Sequence, residues 1–325
     1  MIGQSSAFHA TVCLIEKIAR CDAPVMIEGE TGTGKELAAR AIHYGGARRV
    51  RPFIPVNCGA IPDALVENEL FGHRPGAYTD ARAEHAGLIA HAQHGTLFLD
   101  EVDALTLRAQ VTLLRFLQDQ QYRPLGGGTA CSADVRIIAA SNADLTGFTE
   151  QGLFRLDLLY RLKIIELRLP PLRERHGDVA LLAGHFLRVC AERFGQGDKR
   201  LHAESSAWME DYHWPGNIRE LENLMHREYL MADGSTIRIA PPPALRRELR
   251  QQEGRPRVRL DFKAAKSRAI AEFERRYLTD VLASVQGNVT RAASLVGKER
   301  RAFGKLLKKH GIDRYQYSRQ TLGED

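Results

Sequence analysis

Five short apolar runs punctuate residues 24–169, and the first four give way to polar or charged residues. They are Pro24-Val25-Met26-Ile27-Glu28, Pro52-Phe53-Ile54-Pro55-Val56-Asn57, Thr96-Leu97-Phe98-Leu99, Val135-Arg136-Ile137-Ile138-Ala139-Ala140 and Ile164-Ile165-Glu166-Leu167-Arg168-Leu169. Runs of this length, bounded by polar or turn residues, predict buried strands. Between them, Leu37–Ile42, Ala64–Phe71 and Ala109–Gln120 carry apolar residues at helical spacing. The segment 72–81, with Gly72, Pro75 and Gly76, interrupts a helical region and reads as an inserted loop. Strands alternating with helices predict an α/β fold with a parallel sheet and a site at the strand C-termini. Beyond Pro170 there are no strand runs. Val179–Phe194, Ser205–Tyr212 and Ile218–Asp233 have helical spacing and predict an all-helical subdomain. Pro241-Pro242-Pro243, followed by an Arg-, Gln- and Glu-rich stretch, reads as a linker, and helical periodicity resumes at about Phe262 and runs to about Val285. The expected boundaries are 1–168 for the α/β part, 169–240 for the helical part, 241–261 for the linker and 262–325 for a C-terminal helical domain.

Composition sharpens this division. At 325 residues, two or three domains are expected, and 44% hydrophobic with 26% charged residues is an ordinary globular balance. Residues 241–325 hold 20 Lys and Arg against 10 Asp and Glu, while the rest of the chain is net −4. A basic tail on a slightly acidic body suggests a nucleic-acid-binding appendage on a separate engine. No apolar run approaches the ~20 residues of a membrane helix, and Met1–Ser6 has no signal-peptide pattern. The five cysteines, Cys13, Cys21, Cys58, Cys131 and Cys190, lack metal-ligand spacing and read as reduced, mostly buried thiols of a cytosolic protein.

The chemistry starts at Gly29-Glu30-Thr31-Gly32-Thr33-Gly34-Lys35-Glu36, between the first strand and the first helix. A strand, a glycine-rich turn and a helix opening on Gly-Lys form a phosphate-binding P-loop. Backbone N–H groups curl around the anion, the helix N-terminus favours negative charge, and Lys35 reaches the outer phosphates of ATP or GTP. Glu36 replaces the usual Ser or Thr. The third strand ends in Asp100-Glu101, the second half of an ATPase: Asp100 to hold Mg²⁺ directly or through water, and Glu101 to polarise the attacking water.

With these motifs stand E-L-F-G-H at 69–73, F-R at 154–155, Y-R-L at 160–162, P-P-L-R-E-R at 170–175 and W-P-G-N-I-R-E-L-E-N at 214–223. Over about residues 1–240 the chain resembles the AAA+ domain of bacterial enhancer-binding proteins, the sigma-54-dependent activators of NtrC type. The resemblance implies that Glu36 is the ordinary residue after the lysine. It implies that Asn57 restrains Glu101, that Ser141 and Asn142 read the γ-phosphate, and that Arg155 and Arg161 reach the neighbouring subunit's ATP. Arg219 would contact nucleotide within its own subunit. Gly76-Ala77-Tyr78-Thr79-Asp80-Ala81 stands where the family has its sigma-54-contacting loop G-A-F-T-G-A. Tyr78 keeps an aromatic ring. Asp80 replaces a glycine, which removes conformational freedom and adds a negative charge to a docking surface, although Asp is among the residues that enter the left-handed region.

The stretch 288–307 fits a helix-turn-helix, with Ala293 small at the helix crossing, Gly297 in the turn, and Phe303 and Leu306 closing the core. Arg291, Lys298, Arg300, Arg301 and Lys305 are then available for DNA bases and phosphates. Gly304 within the second helix costs about 1 kcal/mol in propensity. This unit resembles the Fis-type domain that ends many enhancer-binding proteins, whose preceding helix makes a dimer contact.

The reading is a cytoplasmic, ATP-hydrolysing transcriptional activator that binds upstream DNA, assembles into a ring, hexameric by resemblance, and remodels sigma-54 RNA polymerase. Two alternatives stay open: a DNA-binding regulator acting without sigma-54, suggested by Asp80, and a general AAA+ remodeller. No receiver or ligand-sensing region precedes the P-loop in this sequence. Regulation by a partner protein in trans, or by abundance, is therefore one expectation; an N-terminal sensor on a longer chain is the other.

Overall fold

The computed structural model describes residues 1–77, 83–242, 262–285 and 287–312. The chain forms two compact units, Met1–Arg246 and Arg247–Asp325, each described by itself.

In the first unit, the five predicted runs become β1 (Val25–Glu28), β2 (Phe53–Asn57), β3 (Thr96–Asp100), β4 (Arg136–Ser141) and β5 (Ile165–Arg168). They form one parallel sheet in the order β2-β3-β4-β1-β5. Burial explains the order. All six residues of β4, Arg-Ile-Ile-Ala-Ala-Ser, are buried, as a central strand requires. β2 carries Pro55, which has no N–H to give a ladder, and it lies at the edge. Side chains alternate between faces. Met26, Leu97, Leu99, Ile137 and Ala139 join one core; Val25, Ile27, Phe98, Ile138, Ala140 and Leu167 join the other.

Helix α1 (Ser6–Ala19) and helix α2 (Lys35–Tyr44) cover the second face through Ile15, Ile18, Ala38 and Ile42. Sequence analysis did not anticipate α1, although its buried residues Phe8, Thr11, Ile15, Ile18 and Ala19 recur at helical spacing. The first face is covered by α3 (Val66–Phe71), α4 (Leu107–Asp119), α5 (Leu145–Glu150) and α6 (Leu156–Leu162). The inserted loop is closed at its base by a two-residue antiparallel ladder, Gly72↔Ala86 and His73↔His85. Gly72 adopts φ +73° there, and a Cβ on it would meet the His85 carbonyl at 2.2 Å. A second small ladder, Gln121–Tyr122 with Cys131–Ser132, also escaped the periodicity reading.

The helical subdomain, hereafter the lid, comprises α7 (Asp178–Phe194), α8 (Ala203–Asp211) and α9 (Asn217–Met231) around Trp208, Trp214, Leu221, Met225 and Tyr229. The expectation of helices alone past Pro170 needs correction: Arg200–Leu201 pairs with Thr236–Ile237 in a short parallel ladder. Two residues give no apolar run for a sequence pattern to register. The thiols also differ from expectation, since Cys58 and Cys190 are buried while Cys13 and Cys21 are exposed. Among the described residues no helix is long and apolar enough to cross a membrane.

The second unit holds α10 (Phe262–Ser284), α11 (Val289–Leu295) and α12 (Arg300–Lys309). The Asn288 side chain accepts from the Arg291 N–H and caps α11, and Gly297 takes φ +63° in the turn. Its core is Leu278, Leu282, Val285, Ala292, Ala293, Phe303 and Leu307. Leu306, expected to close the core, is half-buried; Leu307, four residues after Phe303, is the one that faces inward.

One buried ion pair ties the N-terminal segment to the lid. Asp178, fully buried, accepts from the N–H groups of Gln4 (2.6 Å) and Ser5 (3.0 Å), from Ser5 Oγ (2.9 Å) and from Arg175 Nε (2.8 Å). Arg175 also donates to the Ile2 carbonyl at 2.8 Å and lies over the Phe8 ring. Burial pushes the Asp178 pKa up, but these donors together hold it below the ordinary Asp value. Its contribution to stability is therefore complete above the unfolded Asp pKa and is lost as the pH falls through the lowered one. Asp178→Ala strands the Arg175 guanidinium and is expected to cost about 3–5 kcal/mol in urea unfolding. Asp178→Asn is expected to show a shallower loss of stability below about pH 4 than the unaltered chain; identical acid slopes would exclude the carboxylate as the titrating group.

Candidate functional site

The P-loop leaves the end of β1 and enters α2 at the C-terminal edge of the sheet, beside the ends of β3 and β4. Gly34 caps α2 at φ +96°, and Gly32 adopts φ +79°. A Cβ at Gly32 would meet the Gly216 carbonyl at 2.3 Å, so the close approach of the lid requires glycine here. Lys35, buried at the start of α2, donates to the carbonyls of Gly29 (2.9 Å) and Glu30 (3.3 Å). Thr33 Oγ1 donates to the Glu30 carbonyl at 2.7 Å. Glu36 points away from this network into an exposed ion pair with Arg40 at 2.7 Å.

Facing the loop, Asp100 ends β3, and its Oδ1 accepts from the Glu101 N–H at 3.1 Å. Desolvation lowers the Lys35 pKa against the pull of Asp100, Glu101 and Asp103. Desolvation likewise raises that of Asp100 against the pull of Lys35. Glu101 sits at φ +54°, a left-handed conformation uncommon for a non-glycine residue. A Cβ on Gly59 would lie 2.5 Å from Glu101 Oε2 and 3.4 Å from Asn57 Oδ1, so both side chains lie over that glycine. Asn57 is the register partner of Asp100, and its Oδ1 accepts from the Ala60 N–H at 3.0 Å. Among the described residues no hydrogen bond joins Asn57 to Glu101. Ser141, at the end of β4, donates to Asp103 Oδ1, and Asn142 Nδ2 donates to Thr31 Oγ1 at 2.9 Å. Thr31, Gly32, Gly34, Lys35, Glu36, Asp100, Glu101, Asn142 and Arg219 line one cleft of about 240 Å³, with Ile218 and Glu222 from the lid.

Two residues that sequence reading quoted only within motifs join lid to P-loop. Asn217, fully buried at φ +52°, accepts from the Leu172 N–H at 2.8 Å and donates to Glu30 Oε2 (3.1 Å) and the Thr31 carbonyl (3.0 Å). Arg173 makes a two-pronged pair with Glu30 at 2.9 and 2.6 Å. The Arg173 guanidinium and then the Asn217 amide lower the Glu30 pKa from 4.5 to about 2. The available signal was asparagine after Pro215-Gly216 at a helix start, since asparagine is among the few non-glycine residues that adopt positive φ.

Arg155 and Arg161 lie outside the cleft, at the cap and the last turn of α6. Both are exposed. Arg155 pairs with Asp157 at 2.7 Å, and Arg161 has no hydrogen bond or ion pair among the described residues. Around them Leu153, Leu156 and Tyr160 are 53%, 52% and 70% exposed. In the stretch 76–81, Gly76 takes φ +83°, and Ala77 packs on Gly126; Tyr78, Thr79, Asp80 and Ala81 lie outside the described residues. In the second unit Arg291, Lys298, Arg300, Arg301 and Lys305 are all exposed.

Comparison with known proteins places these features together. The sigma-54 interaction domain family matches residues 1–168, the AAA+ ATPase lid domain family residues 173–259, and the Fis-family bacterial regulatory protein domain residues 269–310. The chain is 42% identical over 297 residues to the regulatory protein AtoC of Escherichia coli, covering 91% of this chain and 64% of AtoC. It is 41% identical to the response regulator PilR of Pseudomonas aeruginosa, covering 96% of this chain and 70% of PilR. The crystal structure of NtrX from Brucella abortus in complex with ATP matches 96% of this chain and 69% of NtrX, with a TM-score of 0.70 at 32% identity.

The joint at Asn217 makes two separable demands, on side chain and on backbone. Asn217→Gly keeps the left-handed backbone and loses the amide, with an expected cost of about 1–3 kcal/mol. Asn217→Ala also loses the amide but retains a β-carbon at positive φ, where alanine lacks asparagine's local hydrogen bonding, and is expected to cost about 1–2 kcal/mol more than the glycine variant. Urea unfolding of both variants checks the order; an alanine variant as stable as the glycine one would remove the backbone argument.

Proposed function

Because the chain belongs to the sigma-54-dependent, NtrC-type transcriptional activators, we propose that it binds upstream DNA and couples ATP hydrolysis to the opening of sigma-54 promoters. One observation carries this reading. The P-loop, Asp100, Glu101, Asn142 and Arg219 converge on one cleft, while Arg155 and Arg161 stay exposed on α6.

In this reading Gly29–Glu36, Ser141, Asn142 and Arg219 bind ATP. Lys35 gains from a phosphate the anion that its desolvated ammonium favours. Among the described residues no group of three or more His, Cys, Asp or Glu could hold a metal. A lone carboxylate fits Mg²⁺ bound mainly through nucleotide phosphates and water, and Asp100, whose charged form burial disfavours, is that carboxylate. The ion would neutralise charge on the phosphates. Glu101 orients the attacking water, and Asn57, across Gly59 from it, restrains its carboxylate. Arg155 and Arg161 enter a neighbouring subunit's cleft in a ring, hexameric by family resemblance, with Leu153, Leu156 and Tyr160 buried by that contact.

The assigned domains are 1–168 (AAA+ α/β), 169–240 (lid), 241–261 (linker) and 262–325 (Fis-type helix-turn-helix), acting in the cytoplasm. Arg291, Lys298, Arg300, Arg301 and Lys305 contact DNA. Helix α10 supplies the dimer contact, through the exposed side chains of Ile270, Phe273 and Tyr277. Gly76–Ala81 meets sigma-54. Regulation comes from a partner in trans, from abundance, or from a sensor on a longer chain. Asp80, in place of glycine, supports a second reading in which the protein regulates transcription without sigma-54.

In vitro transcription with polymerase carrying either sigma-54 or the housekeeping sigma, with and without ATP, separates the two. Activation confined to sigma-54 and dependent on hydrolysis is expected; ATP-independent regulation with the housekeeping sigma would establish the second reading. Glu101→Gln is expected to bind ATP with nearly unchanged affinity and to lose turnover, measured by nucleotide fluorescence and phosphate release. Arg161→Ala is expected to lose roughly 10³–10⁵ in hydrolysis rate, with partial recovery on mixing with Glu101→Gln subunits. An Arg161→Ala variant that hydrolyses normally would rule out the shared site.

A further inference from the structure

Glycine is among the poorest residues for a helix interior, yet Gly304 lies in the middle of α12. Nothing among the described residues requires it. Its φ is not positive, and a Cβ built on it would meet no atom within 4 Å. The absence of a side chain instead leaves a notch in the surface, bordered by Val289, Glu299, Arg300, Arg301 and Gly304 itself. Gly304 follows Arg300 by four residues and Arg301 by three, so the three share one side of the helix.

The polar groups around this notch are mixed in kind. Arg300 and Arg301 are exposed donors. Glu299 caps α12 without a side-chain hydrogen bond, and its carboxylate has no partner among the described residues. A notch meant for a DNA phosphate would gain nothing from that carboxylate, which repels it. A base pair offers both kinds of partner: cytosine presents an amino donor in the major groove, and guanine presents two acceptors that an arginine can bridge.

We propose that the Gly304 notch reads the major-groove edge of a C·G base pair. Glu299 accepts from the cytosine amino group, Arg300 or Arg301 donates to the guanine, and the missing side chain lets the base edge approach the helix. This rests on the reading of α12 as the helix that enters DNA, and it adds a specificity-determining position to that reading.

The test is selection of duplexes from a random-sequence pool by the full chain, followed by anisotropy titration of the selected duplex. Gly304→Leu fills the notch, and Glu299→Ala removes the acceptor without losing a cap bond. Gly304→Ala and Gly304→Leu are expected to raise the thermal midpoint, since both are better helix formers than glycine and no described residue meets the added Cβ. Gly304→Leu is expected to weaken binding of the selected duplex roughly tenfold or more. Glu299→Ala is expected to lose the cytosine preference at one position of each half-site while the remaining sequence preference persists. Unchanged selection and affinity in both variants would overturn the proposal, as would an equal loss on all sequences, which marks a phosphate contact. A chain that selects no sequence, or a paired Arg300→Ala and Arg301→Ala variant that binds DNA undiminished, would instead defeat the DNA-entry reading itself and the notch with it.

Discussion

The joint between P-loop and lid is the constraint on which the rest of the first unit depends. Asn217 touches three separate pieces of chain at once: Glu30 and Thr31 in the phosphate loop, and Leu172 where the lid begins. It is reinforced by the Ile218 N–H donating to the Gly32 carbonyl at 3.0 Å and by Arg173 on Glu30. Because these bonds cluster within a few residues, the lid cannot shift without disturbing the loop that would cradle phosphates. Gly32 has no room for a side chain for the same reason. The Arg173–Glu30 pair is too exposed to contribute much free energy by itself; its value is geometric, since it fixes the direction from which the lid meets the loop. Arg219 then lies at the cleft because it is two residues from Asn217 on the same helix. The Asp178 cluster extends this continuity to the N-terminal segment, five residues beyond Arg173.

The electrostatics of the cleft follow from its depth. Lys35 and Asp100 both sit where burial disfavours their charged forms, and each is the main favourable neighbour of the other. Such a pair is poised for partners that bring both signs, which a nucleotide with its divalent ion does. Cys58 shows the cost of proximity without partnership: burial, then the charges of Asp100, Asp103 and Glu101, push its thiol up to about 12. It packs under the site as an inert apolar side chain.

Much of this was legible in the sequence because it rests on strong local signals. Buried strands need continuous apolar runs, a phosphate loop needs glycines before a lysine, and a turn between two short helices needs something like Gly297. Most of what escaped had weaker signals. The two-residue ladders at 72–73, 121–122 and 200–201 are too short for any periodicity, whereas α1, with Phe8, Thr11, Ile15 and Ile18 at helical spacing, did carry a signal that went unread. The choice between Leu306 and Leu307 turned on one helical position, a hundred degrees of rotation that two adjacent leucines cannot specify. Asn217 and Arg173 were visible as letters of motifs, but their partners are 187 and 143 residues away in sequence, and only the fold brings them together.

The same fold offers a physical route from the cleft to the inserted loop. Glu101 and Asn57 meet over Gly59, and that turn runs within a few residues into α3. Helix α3 is anchored by its buried Val66, Leu70 and Phe71 and by an ion pair from Glu67 to Arg108 at 2.8 Å, and it ends directly in Gly72, the base of the loop. The stem is held again from the side, where Leu125 donates to the Gly72 carbonyl and accepts from the Arg74 N–H. A displacement of the Gly59 turn, on the proposed roles driven by what Glu101 does at the γ-phosphate, would therefore reach the stem through a short, packed helix rather than a long flexible path. On this view the stem does not decide between the two readings of the protein. A stroke would be delivered to residues 76–81 in either case, and whether sigma-54 receives it turns on the charge and backbone freedom at position 80.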